Sequence, residues 1–323
     1  FTTVRDVGGP GFGIKKAIDQ GTVAGPRMFM SGAMISQTSG HGDFGQVWEE
    51  PRFFGCGMGV PRFEQLEITR MADGVDEVLA ATRFNLKKGA SQIKLMAGGG
   101  VSSQYDPLYV NEYLPYELKA AADAAADWGT YVTVHIYNGV GITRSLNAGI
   151  KGIEHGHLMD EESARLMSEK GAWLCIQPFF KDDPGSETLS PKSYKKFLQV
   201  VEGFDKTMKL VKKYNINMAF GTDLLFSPDT NGGQANSLAR FKKFYSDVEI
   251  LRMATSSNAK YFELSGPGHP YQEGPLGVVK EGAYADILLV DGNPLKDVSI
   301  LGDNAKNIPL IMKDGKIYKN TVK

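Results

Sequence analysis

Two histidines set the chemical question in this chain. His135 and His155 each fall toward the end of a short strand-like run, VTVHIY and GIEHGH. One histidine in such a place is more often structural than a ligand. Two at matching ends of neighbouring strands favour a metal, because imidazole is the commonest metal ligand. The rest of the chain must then supply anionic donors. Asp223, in FGTD, ends another apolar run, where its alternative role is to cap the next element. Lys94 lies in the middle of the apolar QIKLMA, although a buried ammonium is costly unless something compensates. It can snorkel, pair with a carboxylate, or lie neutral and be used chemically. Tyr137 shares the phase of His135, and His157 that of His155. His41 lies in SGHGD, as loop decoration or as a substrate contact.

These side chains need elements to aim them. Val132–Tyr137 alternates, so Thr133, His135 and Tyr137 share one face and Val132, Val134 and Ile136 the other. Gly139–Asn147 carries Val140, Ile142 and Leu146 at helical spacing, and Gly149 is placed to end that helix with a positive φ. Gly152–His157 reads as a second strand with Ile153, His155 and His157 on one side. A strand–helix–strand unit of this length makes parallel neighbours, and in a parallel barrel chemistry sits at the C-terminal edge.

Elsewhere, Phe1–Val7 and Arg27–Ser31 read as strands, with a helix from about Ile14 between them. Ile35–Pro61 is a long glycine-rich loop whose aromatic clusters, Phe44–Trp48 and Phe53–Phe54, predict a packed lid. Phe63–Lys88 reads as a helix. Gln92–Ala97 reads as a strand, with Lys94 facing away from Ile93 and Leu95. Leu114–Asp127, Asp160–Glu169 (capped by Asp160), Tyr194–Tyr214 and Val248–Phe262 read as helices, and Ala172–Pro178 and Asn217–Thr222 as strands. Seven strands, near Val4, Met28, Lys94, His135, His155, Ile176 and Phe220, predict an α/β fold: a (β/α)8 barrel short of one strand. From about Ser265 the chain turns to short strands with glycine turns, and Asp314-Gly315 is a hairpin signal. The expected division is a barrel over 1–264 and a small β domain over 265–323.

A formal net charge of −1 gives no electrostatic case for nucleic acid or an anionic membrane as partner. Two cysteines exclude a disulfide framework and a four-cysteine zinc site. GGPGFG has the wrong spacing for a dinucleotide fingerprint. The chain opens at Phe1 without a methionine, so localisation is not legible in it.

In order, TTVRDVGG, SGHGD, QIKLMAGGGV, VHIYNGVGI, AGIKGIEHG, FGTD, RMATSSNAK and KEGAYADILLVDGNPL resemble the amidohydrolase superfamily. The likeness is to its imidazolonepropionase-like and Xaa-Pro or Xaa-Arg dipeptidase branch. That resemblance implies a carboxylated Lys94 bridging two divalent metal ions of the zinc type. His135 and His155 would bind the second ion, and Asp223 would bind the first and handle protons. It implies attack of a metal-bridging hydroxide on a carbonyl carbon. Tyr137 would hydrogen-bond the oxyanion or a substrate carboxylate, His41 would face substrate, and His157 would support the ligands or touch substrate. The family's first strand carries His-x-His, which this chain lacks. The expectation is therefore a longer natural protein with that motif upstream of Phe1, the tail being half of a composite β-sandwich. The leading reading is a hydrolase of amide or peptide bonds, dipeptidase or N-acyl amino acid hydrolase in type, acting on a small molecule or dipeptide. The alternatives are a cyclic-amide (imidazolone-type) or lactone hydrolase, and a metal-free scaffold protein on the same fold. Homo-oligomerisation stays open.

Overall fold

Short runs of β-branched and apolar residues bounded by glycine pair in parallel to form one curved wall. In this computed structural model, residues 1–51, 59–183, 186–224 and 232–322 are described. β1 (Thr3–Asp6) pairs with β2 (Arg27–Met30). β3 (Met34–Ser36) continues the path of β2 and pairs on one side with β4 (Thr69–Met71) and on the other with β5 (Ile93–Met96). The ladder then passes in parallel through β6 (Val132–Asn138), β7 (Gly152–Leu158), β8 (Trp173–Cys175) and β9 (Asn217–Ala219). This seven-stranded parallel sheet, with β1 and β2 beside it, is the expected α/β architecture of the (β/α)8 class. Among the described residues no ladder joins β1 to β9, though the rings of Phe1 and Phe220 stack at 5.8 Å.

Helices cover the outer face: α1 (Phe12–Asp19), α2 (Arg62–Gln65), α3 (Gly74–Lys87), α4 (Pro115–Asp127), α5 (Gly139–Asn147), α6 (Glu161–Glu169) and α7 (Pro191–Lys213). Ile93, Leu95, Val132, Val134 and Ile136 pack outward into one core with Ala121, Ala125, Ile142 and Leu146 of these helices. Strand alternation therefore turns Lys94, Thr133, His135 and Tyr137 to the interior, as the sequence predicts. Asp160 caps α6 by accepting from the Ser163 N–H at 2.9 Å, and Gly149 leaves α5 at φ +100°.

Four expectations need correction. Phe63–Lys88 is not one helix: α2 ends, Glu67 takes φ +58°, β4 pairs with β3, and α3 starts only at Gly74. Strand pairing there overrides local helix propensity. The Ala172–Pro178 and Asn217–Thr222 strands are each only three residues long. Phe44 and Trp48 do not form a packed lid: both are exposed, although Phe44 meets the Phe63 ring edge-on at 6.0 Å. Phe53 and Phe54 lie outside the described residues. The fourth is the phase of β7, where His155 and Gly156 leave the extended backbone.

After β9 come α8 (Gln234–Ala239), α9 (Asp247–Arg252) and α10 (Asn258–Phe262), with a π-helical turn over Met253–Ser257 joining the last two. Thr255 Oγ1 donates back to the Leu251 carbonyl at 2.7 Å within that stretch, a bond that loosens a helix. Just beyond, the Asn258 side chain grips both the N–H and the carbonyl of Phe220, at 2.8 and 3.0 Å. That clamp fixes the segment leading to Asp223. The C-terminal stretch forms an antiparallel sheet of β10 (Ile287–Leu289), β11 (Leu310–Lys313) and β12 (Lys316–Asn320). Its hairpin turns through Asp314 and Gly315, both at positive φ as predicted. Among the described residues no helix is long and apolar enough to cross a membrane.

Candidate active site

Lys94, His135 and His155 meet inside the wall. Lys94 is buried beside Thr133 in the β5–β6 register, and among the described residues its ammonium has no hydrogen bond or ion pair. Burial lowers the Lys94 pKa, while the carboxylates of Glu154 and Asp223 oppose that shift. The ring of His135 lies 4.4 Å from that of His155. Burial holds both imidazoles well below the ordinary histidine range, reinforced by neighbouring cationic groups, so both are neutral. His135 Nε2 is 3.4 Å from the Gly99 carbonyl. His155 Nδ1 lies 2.7 Å from the amide oxygen of Gln177. That oxygen only accepts, so Nδ1 carries the proton and Nε2 is left bare.

The sequence expectation that Ile153, His155 and His157 share a face fails. Ile153 packs in the outer core and Glu154 faces the interior. His155 takes φ +77° and Gly156 φ +62°, a reversal that brings His155 inward as well. Asp223 is likewise at φ +54°. Non-glycine residues in this region carry strain, and such strain concentrates at functional sites. Asp223 is exposed as a residue, yet burial around its carboxyl raises its pKa, with Lys94 opposing.

Tyr137 stands against both imidazoles, 5.1 Å from each ring, and its phenol is pushed up by burial and by the Asp223 and Asp106 charges. His157 is fully buried, stacks on Phe179 at 5.2 Å and donates Nε2–H to the Gln177 carbonyl at 2.9 Å. Burial pushes its pKa down to about 3, and Nδ1 has no partner among the described residues. It therefore supports the segment that holds His155, behind the inner group. His41 stacks on His135 at 3.9 Å, with its ring edge toward Ser103 and Asp106. All seven residues singled out in the sequence thus occupy one region, with His157 set behind the rest.

Several neighbours escape sequence reasoning. Arg5, from β1, pairs with Glu154 at 2.7 Å, and the Thr133 hydroxyl donates to the same oxygen. Burial opposes the Glu154 charge, but Arg5 and Lys94 outweigh it, so its pKa is lowered. The only available signal was Glu154 standing directly before His155. Gln177, Ser103, Asp106 and Glu112 carry no motif at all.

Can these residues hold a metal ion? Among the described residues no three histidine, cysteine, aspartate or glutamate side chains gather around a point that would hold one. The donor chemistry fits if Lys94 contributes. Two neutral imidazoles stand together, one with its free nitrogen oriented by an amide behind it, beside an amine with no other bond. An anionic group carried on Lys94 would complete that set.

The chain resembles known proteins along nearly its whole length. Ochratoxinase from Aspergillus niger is 31% identical over 99% of this chain, which spans 65% of the length of that relative. A crystal structure of an amidohydrolase superposes with a TM-score of 0.88 at 39% identity, over 100% of this chain and 76% of the other. A crystal structure of a prolidase complexed with N-methylphosphonate-L-proline gives 0.87 at 34% identity, over 99% of this chain and 76% of the other. The model of the amidohydrolase family matches residues 1–318, and the chain belongs to that family.

Proposed function

We propose that this chain carries the catalytic barrel of a metal-dependent hydrolase of amide or peptide bonds, dipeptidase or N-acyl amino acid hydrolase in type. The observation that carries the reading is the meeting of the Lys94 amine, which makes no hydrogen bond among the described residues, with two neutral imidazoles, His135 and His155, inside one parallel wall. The family generally binds metal ions, and the prolidase neighbour supports a peptide bond as the target. On this reading Lys94 is carboxylated and, with His135, His155 and Asp223, holds divalent ions of the zinc type. Such ions, when bound, polarise a carbonyl and make water nucleophilic near neutral pH.

The protein's own groups do the rest. Asp223, with a raised pKa, is suited to take a proton from the attacking water and give it to the leaving nitrogen. Tyr137 keeps its proton, so its hydroxyl can donate to the oxygen on which charge develops. Gln177 keeps His155 in one tautomer, and His41 faces substrate from its place on His135. The test combines metal analysis with a panel of Xaa-Pro and Xaa-Arg dipeptides, N-acyl amino acids, cyclic amides and lactones. Hydrolysis confined to lactones or cyclic amides would overturn the amide reading. A protein that binds no metal and hydrolyses nothing in the panel would be a scaffold.

A further inference from the structure

His41 is held on four sides. One face lies on His135, 3.9 Å away and nearly parallel. The other side approaches Gly100 so closely that a Cβ there would sit 1.9 Å from Cε1 of the ring. Its backbone N–H is bound by the Glu112 carboxyl at 2.9 Å, and its ring edge meets Ser103 Oγ at 2.8 Å. Behind the serine, Asp106 is buried and accepts from the Ser103 hydroxyl at 2.6 Å and from the Gly100 N–H at 2.7 Å. Lys196 of α7 fastens the whole turn by donating to the Ser103 and Asp106 carbonyls, at 2.7 and 3.3 Å, and to that of Gly100.

The proton count in this chain has one solution. A serine hydroxyl has a single hydrogen. Ser103 Oγ and the Asp106 carboxylate oxygen stand 2.6 Å apart, and the carboxylate only accepts, so the hydrogen lies between them. The nearby Gly100 carbonyl, at 3.2 Å, also only accepts. Ser103 therefore has no hydrogen left for His41 and can only accept from it. Asp106 Oδ2 itself lies 3.3 Å from the same Nδ1 and favours a donor there.

We propose that Asp106 is a positioning residue for His41: through Ser103 it fixes a proton on Nδ1 and so holds the ring with Nε2 free of protein partners beside His135. Among the described residues Nε2 has no hydrogen-bond partner. Nε2 is thereby kept for the substrate. This consequence for substrate rests on the hydrolase reading. The tautomer does not.

The experiment is 15N NMR of histidine-labelled protein at a pH well above the ordinary imidazole range, with the five histidines assigned by substitution. The wild type should show His41 protonated on Nδ1 alone. In Asp106→Ala the serine hydroxyl is freed to donate to Nδ1, so the proton should move to Nε2. There kcat/KM should fall about 10- to 100-fold, the usual cost of losing such a supporting partner. Asp106→Asn is the informative control. The Gly100 N–H still demands an oxygen at that point, so the amide presents one, the tautomer survives and activity stays near wild type. A wild type protonated on Nε2, or an Asp106→Ala variant whose tautomer is unchanged, overturns the proposal. A tautomer that flips with no change in kcat/KM overturns the functional half. If the wild type hydrolyses nothing, the hydrolase reading fails, and the NMR still decides the tautomer.

Discussion

Replacing Glu112 with glutamine should stabilise the fold by an amount that grows with pH. Glu112 is almost wholly buried, its Oε1 accepts from the His41 N–H at 2.9 Å, and Oε2 has no partner among the described residues. Burial pushes its pKa up to about 9, and the Asp106 charge adds to this. The folded protein therefore keeps a proton that the unfolded chain releases near the ordinary carboxylate value. Between those two values the native state binds more protons than the unfolded state, so stability is lost as pH rises. The slope reaches about 1.4 kcal/mol per pH unit and vanishes below the lower pKa and above the upper one. The cost of retaining Glu112 is thus below about 1 kcal/mol near pH 5 and approaches about 3 kcal/mol near pH 7. Glutamine has the same shape, keeps an oxygen for the His41 N–H and carries no proton to lose. Urea unfolding of both proteins near pH 5 and near pH 7 measures the difference, in which all other titrating groups cancel. The glutamine variant should gain about 2 kcal/mol more at the higher pH, allowing for relaxation around the carboxylate. A stability gap that does not change with pH, or a glutamine variant less stable at neutral pH, would refute the assignment of a protonated Glu112.

Three further outcomes are expected at the site. Lys94→Ala should lower hydrolysis by more than about 100-fold, with partial recovery in short carboxylic acids, whereas loss of a supporting partner costs at most about that much. A carbamate signal from 13C-labelled CO2 should be present in the metallated wild type and absent in the variant. Gln177→Leu removes the acceptor that orients His155, and metal affinity measured by competition with a chelator should fall about 10- to 100-fold. Gly100→Ala would press a methyl carbon into the His41 ring, and thermal unfolding should report about 1–3 kcal/mol of lost stability.

The barrel was legible because its signal is periodic. Alternation in Gln92–Ala97 and Val132–Tyr137 assigns each side chain to the core or the interior, and Lys94, His135 and Tyr137 fall where that alternation puts them. β7 was misjudged because alternation assumes extended backbone, and His155 and Gly156 leave it. The EHG triplet holds a glycine that tolerates that geometry, but nothing in it announces the strain at His155. Strand β4 was hidden inside a helix-like pattern, because its pairing with β3 depends on a distant segment. The supporting polar groups were invisible for the same reason. Arg5 reaches Glu154 across 149 residues of sequence, and Gln177 reaches His155 across 22. Contacts of that kind leave no local period to read.

The interior also explains why an amine without a partner is tolerated. Two carboxylates lie close enough to Lys94 to act on it, Glu154 and Asp223. Glu154 is already held by Arg5, whose guanidinium in turn lies 4.3 Å over the Tyr261 ring and donates to the Tyr261 hydroxyl at 3.1 Å. A buried ion pair is sustained only when its remaining hydrogen-bonding groups are met, and here Thr133, Tyr131 and Tyr261 meet them. That pair is neutral as a unit, which leaves Lys94 facing Asp223 and two uncharged imidazoles. On the proposed reading, the amine adds CO2 and releases a proton, and the charge on this side chain changes sign. The negative charge so formed would be out of place beside Asp223 unless cations joined it. The neighbours that make the amine available are also those that require the metal. Carboxylation and metal binding at this site should therefore appear and disappear together.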